Sequence, residues 1–270
     1  MNLKDKTIIV TGAGSGIGKE LTMALIGREA KVVAIDLRQE SLTKLIEDAG
    51  AKSQSITTHV LDISDKAAVE ALPAKIKAEN IEIDGIINNA GIIQPFVKVN
   101  DLSYEAIDKV MNVNFFGTLY ITKTFLPDLL KRPEAYIVNV SSMGGFLPVP
   151  GQSVYGASKA AVKLFTEGLF AELLGTNVYV SVVFPGATNT NIAQNSGADM
   201  PTKSEVDTNK STIPMLPAKV AAEIIVSGME KNQPQIFTGS DSKLMNFLYR
   251  FNPVYATKFI AKQMSSLLGK

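Results

Sequence analysis

The sequence predicts a doubly wound α/β fold: seven parallel strands in one sheet, helices on both faces, three α/β/α layers in a single domain of 270 residues. Seven short runs, "KTIIV", "KVVAID", "ITTHVLD", "IDGIINNA", "AYIVNVSS", "NVYVSVVFPG" and "PQIFTG", are rich in Val and Ile, as strands buried on both faces are. Amphipathic helical patterns separate them, which calls for right-handed crossovers and a parallel sheet. The 46% apolar composition and the absence of a low-complexity linker are consistent with one core.

The first strand runs into "VTGAGSGIGKEL", where Gly12, Gly14, Gly16 and Gly18 alternate before a helix over Gly18–Arg28. Glycines let backbone N–H groups approach a pyrophosphate, and the helix aims its positive end at it. The plainer alternative is a tight turn with no ligand, which four glycines disfavour through their backbone entropy. The spacing G-x-G-x-x-G does not fit, because Ile17 and Lys19 stand where its last glycine would fall. Asp36 ends the second strand, where a carboxylate can accept both hydroxyls of an adenosine ribose and repel a 2′-phosphate. Arg38 softens that repulsion, so NAD(H) is favoured and NADP(H) stays open.

A helix over Glu40–Ala49 and a third strand follow. The strand holds His59, the one histidine, expected to be structural. Pro73 should kink or interrupt the third helix. The fourth strand ends in "NNAG", and one long helix is expected over Tyr104–Lys131. The fifth strand ends at Ser142. In the next helix, Ser153–Leu174, Tyr155 and Lys159 stand at i, i+4 and share a face. An ammonium about 4 Å from a phenol, at an effective dielectric near 20, is worth up to ~4 kcal/mol or roughly three pKa units. That pairing would bring Tyr155 toward neutrality, where acid–base work is efficient. By itself Y-x-x-x-K is a weak signal.

After the sixth strand, Thr190–Pro217 is polar and too long for an ordinary connection, which reads as a lid over the strand ends. Met200, Ile213, Met215 and Leu216 are its apolar exceptions, and Lys203 and Lys210 its expected first tryptic sites. The C-terminal stretch, about 241–270, is apolar and basic. It is expected to pack on its own domain or a neighbouring subunit, with peripheral membrane contact the less favoured reading.

Composition narrows the chemistry. Lys+Arg 27 against Asp+Glu 26, without a long basic run, gives no nucleic-acid footprint. Zero cysteines exclude disulfides and thiolate chemistry, and a single histidine argues against a metal site or a Ser-His-Asp triad. No apolar run is long enough for a leader or a membrane span, so a cytoplasmic protein is expected.

Taken together, the glycine turn, Asp36, "NNAG" (Asn88–Gly91), Asn114, Ser142, Tyr155, Lys159 and "PG" (Pro185–Gly186) resemble the short-chain dehydrogenase/reductase family in order and spacing, over residues 5 to about 190. The family's T-G-x-x-x-G-x-G turn is met by Thr11, Gly12, Gly16 and Gly18, leaving Gly14 an extra. The resemblance implies a Rossmann-like fold and hydride transfer between a nicotinamide cofactor and a secondary alcohol or ketone. It implies Asn114, Ser142, Tyr155 and Lys159 as catalytic. Ser142 would bond the substrate oxygen, Tyr155 exchange the proton, and Lys159 hold the nicotinamide ribose. Asn114 would anchor a water linking Lys159 to a proton relay, with Asn112 a surface residue. The cofactor would touch Gly12, Ser15, Gly16, Ile17, Gly18, Asp36, Asp62, Ile63, Asn88, Ala90, Tyr155, Lys159, Pro185, Gly186, Thr188 and Thr190. Family helices of this kind pair across a two-fold axis, which implies a homodimer or homotetramer. The substrate is expected to be partly apolar, from Met143, Phe146, Leu147, Met200 and Met215. A sugar epimerase and a cofactor-sensing protein without turnover are the two alternatives. The epimerase turn usually reads G-x-x-G-x-x-G, and inactive relatives tend to lose Tyr or Lys.

Overall fold

The computed structural model describes residues 2–190, 192–197 and 215–264. Strand β1 (Thr7–Thr11) is buried throughout, with Ile8 and Val10 facing one helical layer and Ile9 the other. Period-two alternation thus places apolar side chains on both faces, which only a covered sheet can hold. Then come α1 (Gly16–Gly27), β2 (Lys31–Asp36), α2 (Gln39–Ala49), β3 (Ile56–Val60), α3 (Lys66–Ala78) and β4 (Gly85–Asn88). The chain continues through α4 (Tyr104–Met111), α5 (Thr118–Leu129), β5 (Ala135–Val140), α6 (Ser153–Glu172) and β6 (Val178–Pro185). The two-residue strands β7 (Thr188–Asn189) and β8 (Leu216–Pro217) pair beside the sheet, with α7 (Ile192–Ser196) after the first. Helix α8 (Ala218–Glu230), β9 (Gln235–Thr238), α9 (Ser240–Phe251) and α10 (Pro253–Gln263) complete the order.

The expected seven strands form one parallel sheet in the order β3-β2-β1-β4-β5-β6-β9. Val10 lies beside Ala34 on one side and Ile87 on the other. One face is covered by Leu21 and Leu25 of α1, Leu42 and Leu45 of α2, and Ile225 and Met229 of α8. The other is covered by Val69, Leu72 and Ile76 of α3, Phe125 and Leu129 of α5, and Leu169 of α6. Each such side chain contributes about 1.5–3 kcal/mol on burial. Strand order reverses between β1 and β4, which opens a crevice at the carboxyl ends of those strands.

Two expectations change. Helix α3 runs unbroken through Pro73: Asp65 caps its start by accepting the Ala68 N–H at 3.1 Å, and buried Val69, Leu72 and Ile76 hold it down. The helix expected over Tyr104–Lys131 is α4, a π-type turn over Asn112–Gly117, and α5. Of the lid expected over 190–217, residues 191 and 198–214 lie outside the described residues, and with them Met200, Lys203, Lys210 and Ile213.

Candidate active site

A cleft of about 490 Å³ opens at the strand ends. Its walls include Gly12, Ser15, Gly16, Ile17, Asp36, Asp62, Ile63, Ala90, Ser142, Tyr155, Lys159, Pro185, Gly186, Thr188 and Thr190, each expected there from the sequence. A second hollow, about 580 Å³, lies at the opposite end of the sheet beside Ile81 and Glu82. Its charges pair with one another, Lys77 with Asp128 at 2.7 Å and Arg132 with Glu82, which marks that end as structural.

The glycine turn explains its own composition. A Cβ on Gly18 would stand 2.0 Å from the Gly12 carbonyl oxygen, so Gly18 lets the helix start press on the turn. Gly18 is buried and does not line the cleft: it shapes the turn. Gly14, the extra glycine, faces Asp36 and α2, where a Cβ would fall 2.4 Å from Ser41 Cβ. Its N–H donates to Asp36 Oδ2 at 2.9 Å, and the Arg38 N–H donates to Oδ1 at 3.1 Å. Two backbone donors thus hold the carboxylate, while a carboxylate offers about four acceptor sites, which leaves capacity for ribose hydroxyls. At the start of α1, Ser15 provides no side-chain cap and the first turn holds no acid. Its leading N–H groups, which an α-helix cannot satisfy internally, suit a pyrophosphate.

Helix α7 ties across the cleft mouth. Asn195 accepts from Arg38 Nη2 at 3.0 Å and donates to Ser15 Oγ at 3.0 Å. Ser196 Oγ accepts the Ile93 N–H at 2.9 Å. Sequence reasoning gave no role to Asn195.

Besides Gly18, two expected site residues stand behind the wall instead of on it. Asn88 is buried at the end of β4 and donates to Thr122 Oγ1 at 3.0 Å and Asn139 Oδ1 at 2.8 Å. Asn89, one residue on, lines the cleft and donates to the Thr11 carbonyl at 3.1 Å. Thr11 Oγ1 accepts the N–H groups of Asn89 and Ala90, tying this loop to the glycine turn. Asn114, in the π-type turn, accepts the Ile92 N–H at 2.8 Å and donates to the Ile92 carbonyl and to Ser158 Oγ, each at 2.9 Å. It clamps the loop after β4. Asn112 is exposed, as expected.

Ser142 follows β5 with extended backbone; its hydroxyl accepts the Gly144 N–H at 3.0 Å, and it lines the cleft together with Tyr155. Tyr155 and Lys159 rise from α6 one turn apart. Lys159 is buried and donates to the Val140 carbonyl at 2.9 Å. The lowered phenol expected for Tyr155 is not found. Burial pushes it up from its ordinary value and outweighs the Ser142 hydroxyl, which acts the other way. Burial also pushes the Lys159 ammonium down, to about 8. A buried site penalises the charged form of both groups, and the two-body sequence estimate omitted that penalty.

Gln94 was missed by sequence reasoning. Its carboxamide is fully buried; Oε1 accepts the N–H groups of Val154 at 2.8 Å and Tyr155 at 2.9 Å, and Nε2 donates to the Gly151 carbonyl at 3.0 Å. It therefore caps the start of α6 from another segment and fixes the backbone that carries Tyr155. His59 sits in β3 with Nε2 3.6 Å from Glu79, away from the cleft, in the structural role expected.

Residues 6–201 match the family model described as short chain dehydrogenase. SadH of Mycobacterium tuberculosis is 33% identical over 255 residues, covering 92% of this chain and 91% of SadH. A crystal structure of a short chain dehydrogenase/reductase from Burkholderia phymatum, in complex with NAD, is 25% identical with a TM-score of 0.81, covering 94% and 96% of the two chains. A short chain dehydrogenase from Burkholderia cenocepacia J2315, in complex with NADP, is 27% identical with a TM-score of 0.79, covering 96% and 99%.

Proposed function

The chain belongs to the short-chain dehydrogenase/reductase family and is an NAD(P)-dependent oxidoreductase; from that premise we propose that it interconverts a partly apolar secondary alcohol and its ketone, with NAD(H) preferred. The observation that carries the reading is that Ser142 and Tyr155 line one cleft wall, with buried Lys159 one turn along α6. When bound, the nicotinamide ring accepts or supplies the hydride.

This chain's residues do the rest. Ser142 Oγ holds the substrate oxygen, and Tyr155 Oη passes a proton to that oxygen in reduction or takes one in oxidation. Because burial raises the phenol, Tyr155 keeps its proton at neutral pH, the form that a ketone needs. Lys159 binds the ribose beside the ring. Asp36 takes the adenosine ribose hydroxyls, Asp62 and Ile63 the adenine, and the start of α1 the pyrophosphate. Asn114 and Gln94 act behind them as positioning residues. Ile92, Val113 and Ile192 supply apolar surface to the cleft; Met143, Phe146 and Leu147, expected there from the sequence, pack against α9 and α10 instead and do not line it.

A homo-oligomer is part of the same proposal. Tyr104 on α4 is 81% exposed and Leu164 on α6 is 70% exposed. Large apolar side chains left so open support a second copy covering them.

The test is a panel of hydrophobic and polyol alcohols and ketones, followed by NADH absorbance, with Tyr155→Phe beside the native chain. Turnover should fall by 10²-fold or more (order of magnitude, about the full general-acid contribution) while cofactor affinity holds. Near-normal turnover by the Phe variant would overturn the assignment, and so would a panel without one substrate.

A further inference from the structure

The C-terminal helix pair has two differently built faces. Met245, Leu248 and Tyr249 of α9, with Ala256 and Ile260 of α10, pack on Met143, Phe146 and Leu147. That accounts for the expected packing on the chain's own domain. Leu244, Phe247 and Phe251 of α9, and Val254 and Tyr255 of α10, point the other way, with Phe247 66% and Phe251 84% exposed. Spacings of three and four residues put Leu244, Phe247 and Phe251 on one stripe. Asn252 caps α10 by accepting the Tyr255 N–H at 2.9 Å, which fixes the bend that brings Val254 and Tyr255 close to Phe251 along the chain.

Charge says what covers this face. From Ser242 to Lys270 the sequence carries Lys243, Arg250, Lys258, Lys262 and Lys270 and no Asp or Glu. The last acid before it, Asp241, is turned inward and accepts the Ala187 N–H at 2.8 Å. Lys243, Arg250 and Lys258 are exposed among the apolar residues. Against a second copy, a two-fold contact through this face would bring like charges together. An anionic bilayer complements both features, taking the apolar side chains at the headgroup boundary and the cations at the lipid phosphates. Among the described residues no helix is long and apolar enough to cross a membrane, so the contact lies in the interface plane.

We propose that α9 and α10 form a peripheral docking surface for anionic phospholipid bilayers, through Leu244, Phe247, Phe251, Val254 and Tyr255 flanked by Lys243, Arg250 and Lys258. This goes beyond the redox reading and does not depend on it, because binding is measured without cofactor or turnover.

The test is co-sedimentation of the full chain with vesicles of phosphatidylcholine alone, or carrying about 30% phosphatidylglycerol to supply a negative surface. The native chain should sediment with the anionic vesicles and not the neutral ones, and 0.5 M salt (about a 4 Å screening length) should release it. Phe247→Ser/Phe251→Ser should lower the partition coefficient at least ~10-fold, and Lys243→Gln or Arg250→Gln about fivefold each. Both Phe side chains point away from the core, so the double variant should keep the native circular-dichroism spectrum and urea midpoint, which separates lost docking from lost folding. No sedimentation with anionic vesicles would overturn the proposal, as would undiminished sedimentation of the double variant. If light scattering instead shows the double variant splitting an oligomer with no lipid effect, the face joins copies of this chain, and the proposal is wrong.

Discussion

Gln94→Leu tests how the Tyr155 backbone is held. The change nearly preserves volume but deletes both polar ends of a fully buried side chain. It orphans the N–H groups of Val154 and Tyr155 and the carbonyl of Gly151, which now bond within 3.0 Å. Each unsatisfied buried group costs about 1–3 kcal/mol, and these lie at a partly exposed helix start where water relieves some of it, so about 3 kcal/mol is expected in total. Domains of this kind hold about 5–15 kcal/mol, so the variant should fold. Its effect on catalysis follows from position. Freed from its anchor, the first turn of α6 can shift, and a shift near 1 Å at a reacting group costs on the order of 10²-fold in rate. Gln94→Glu keeps an acceptor for both N–H groups, at a helix end that favours negative charge, and should recover most of the turnover. The assay is urea denaturation together with kcat, KM and NADH affinity for the three proteins. In Gln94→Leu, kcat should drop while NADH affinity stays within about threefold. If stability falls as expected but kcat is unchanged, or if Gln94→Glu is as slow as Gln94→Leu, Gln94 holds the fold without positioning Tyr155.

Three more expectations follow from the site and its surroundings. Calorimetry should show NAD(H) binding at least about 10-fold more tightly than NADP(H), or ~1.4 kcal/mol, because the Asp36 carboxylate opposes a 2′-phosphate; equal affinities would hand control to Arg38. Lys159, lowered by burial to about 8, binds fewer protons folded than unfolded between pH 8 and its ordinary value of 10.5, so its contribution to stability rises with pH through that window. Below pH 8 the buried ammonium costs about 3 kcal/mol, so Lys159→Met should raise the urea midpoint near pH 7, and that gain should vanish above pH 10.5; a pH-independent difference would show that the charge is not what burial penalises. Leu164→Asp should lower the light-scattering mass toward the 29.0 kDa monomer, and no change would remove α6 from the interface.

What the sequence made legible was local. Tyr155 and Lys159 sit four apart on one helix, and the glycine turn joins one strand to one helix, so spacing alone placed them. Strand parity was harder. "NNAG" offers two adjacent asparagines, and in a strand successive side chains face opposite ways, so choosing between them needs the register with β5, where Asn88 pairs with Asn139. That register turns Asn88 inward toward Thr122 and leaves Asn89 for the cleft. Gln94 carried no signal, since an isolated glutamine in "GIIQPF" has no periodicity and its partners, Val154 and Tyr155, arrive from 60 and 61 residues away. The π-type turn at Asn114 has the same origin, a side chain drawn to the Ile92 backbone 22 residues earlier. The Tyr155 phenol shows the limit of pairwise reasoning: a nearby lysine is expected to lower it, but burial penalises the charged form of each group, raising the phenol and bringing the Lys159 ammonium, bonded to the Val140 carbonyl, down to about 8. The C-terminal segment shows a different limit. Its lack of acids could be read from the letters, yet only the packing of Met245, Leu248 and Tyr249 on the loop after Ser142 shows which stripe of α9 is left for a partner. Where chemistry depends on neighbours in sequence, the letters suffice; where it depends on which face a chain turns toward a distant segment, the fold has to supply it.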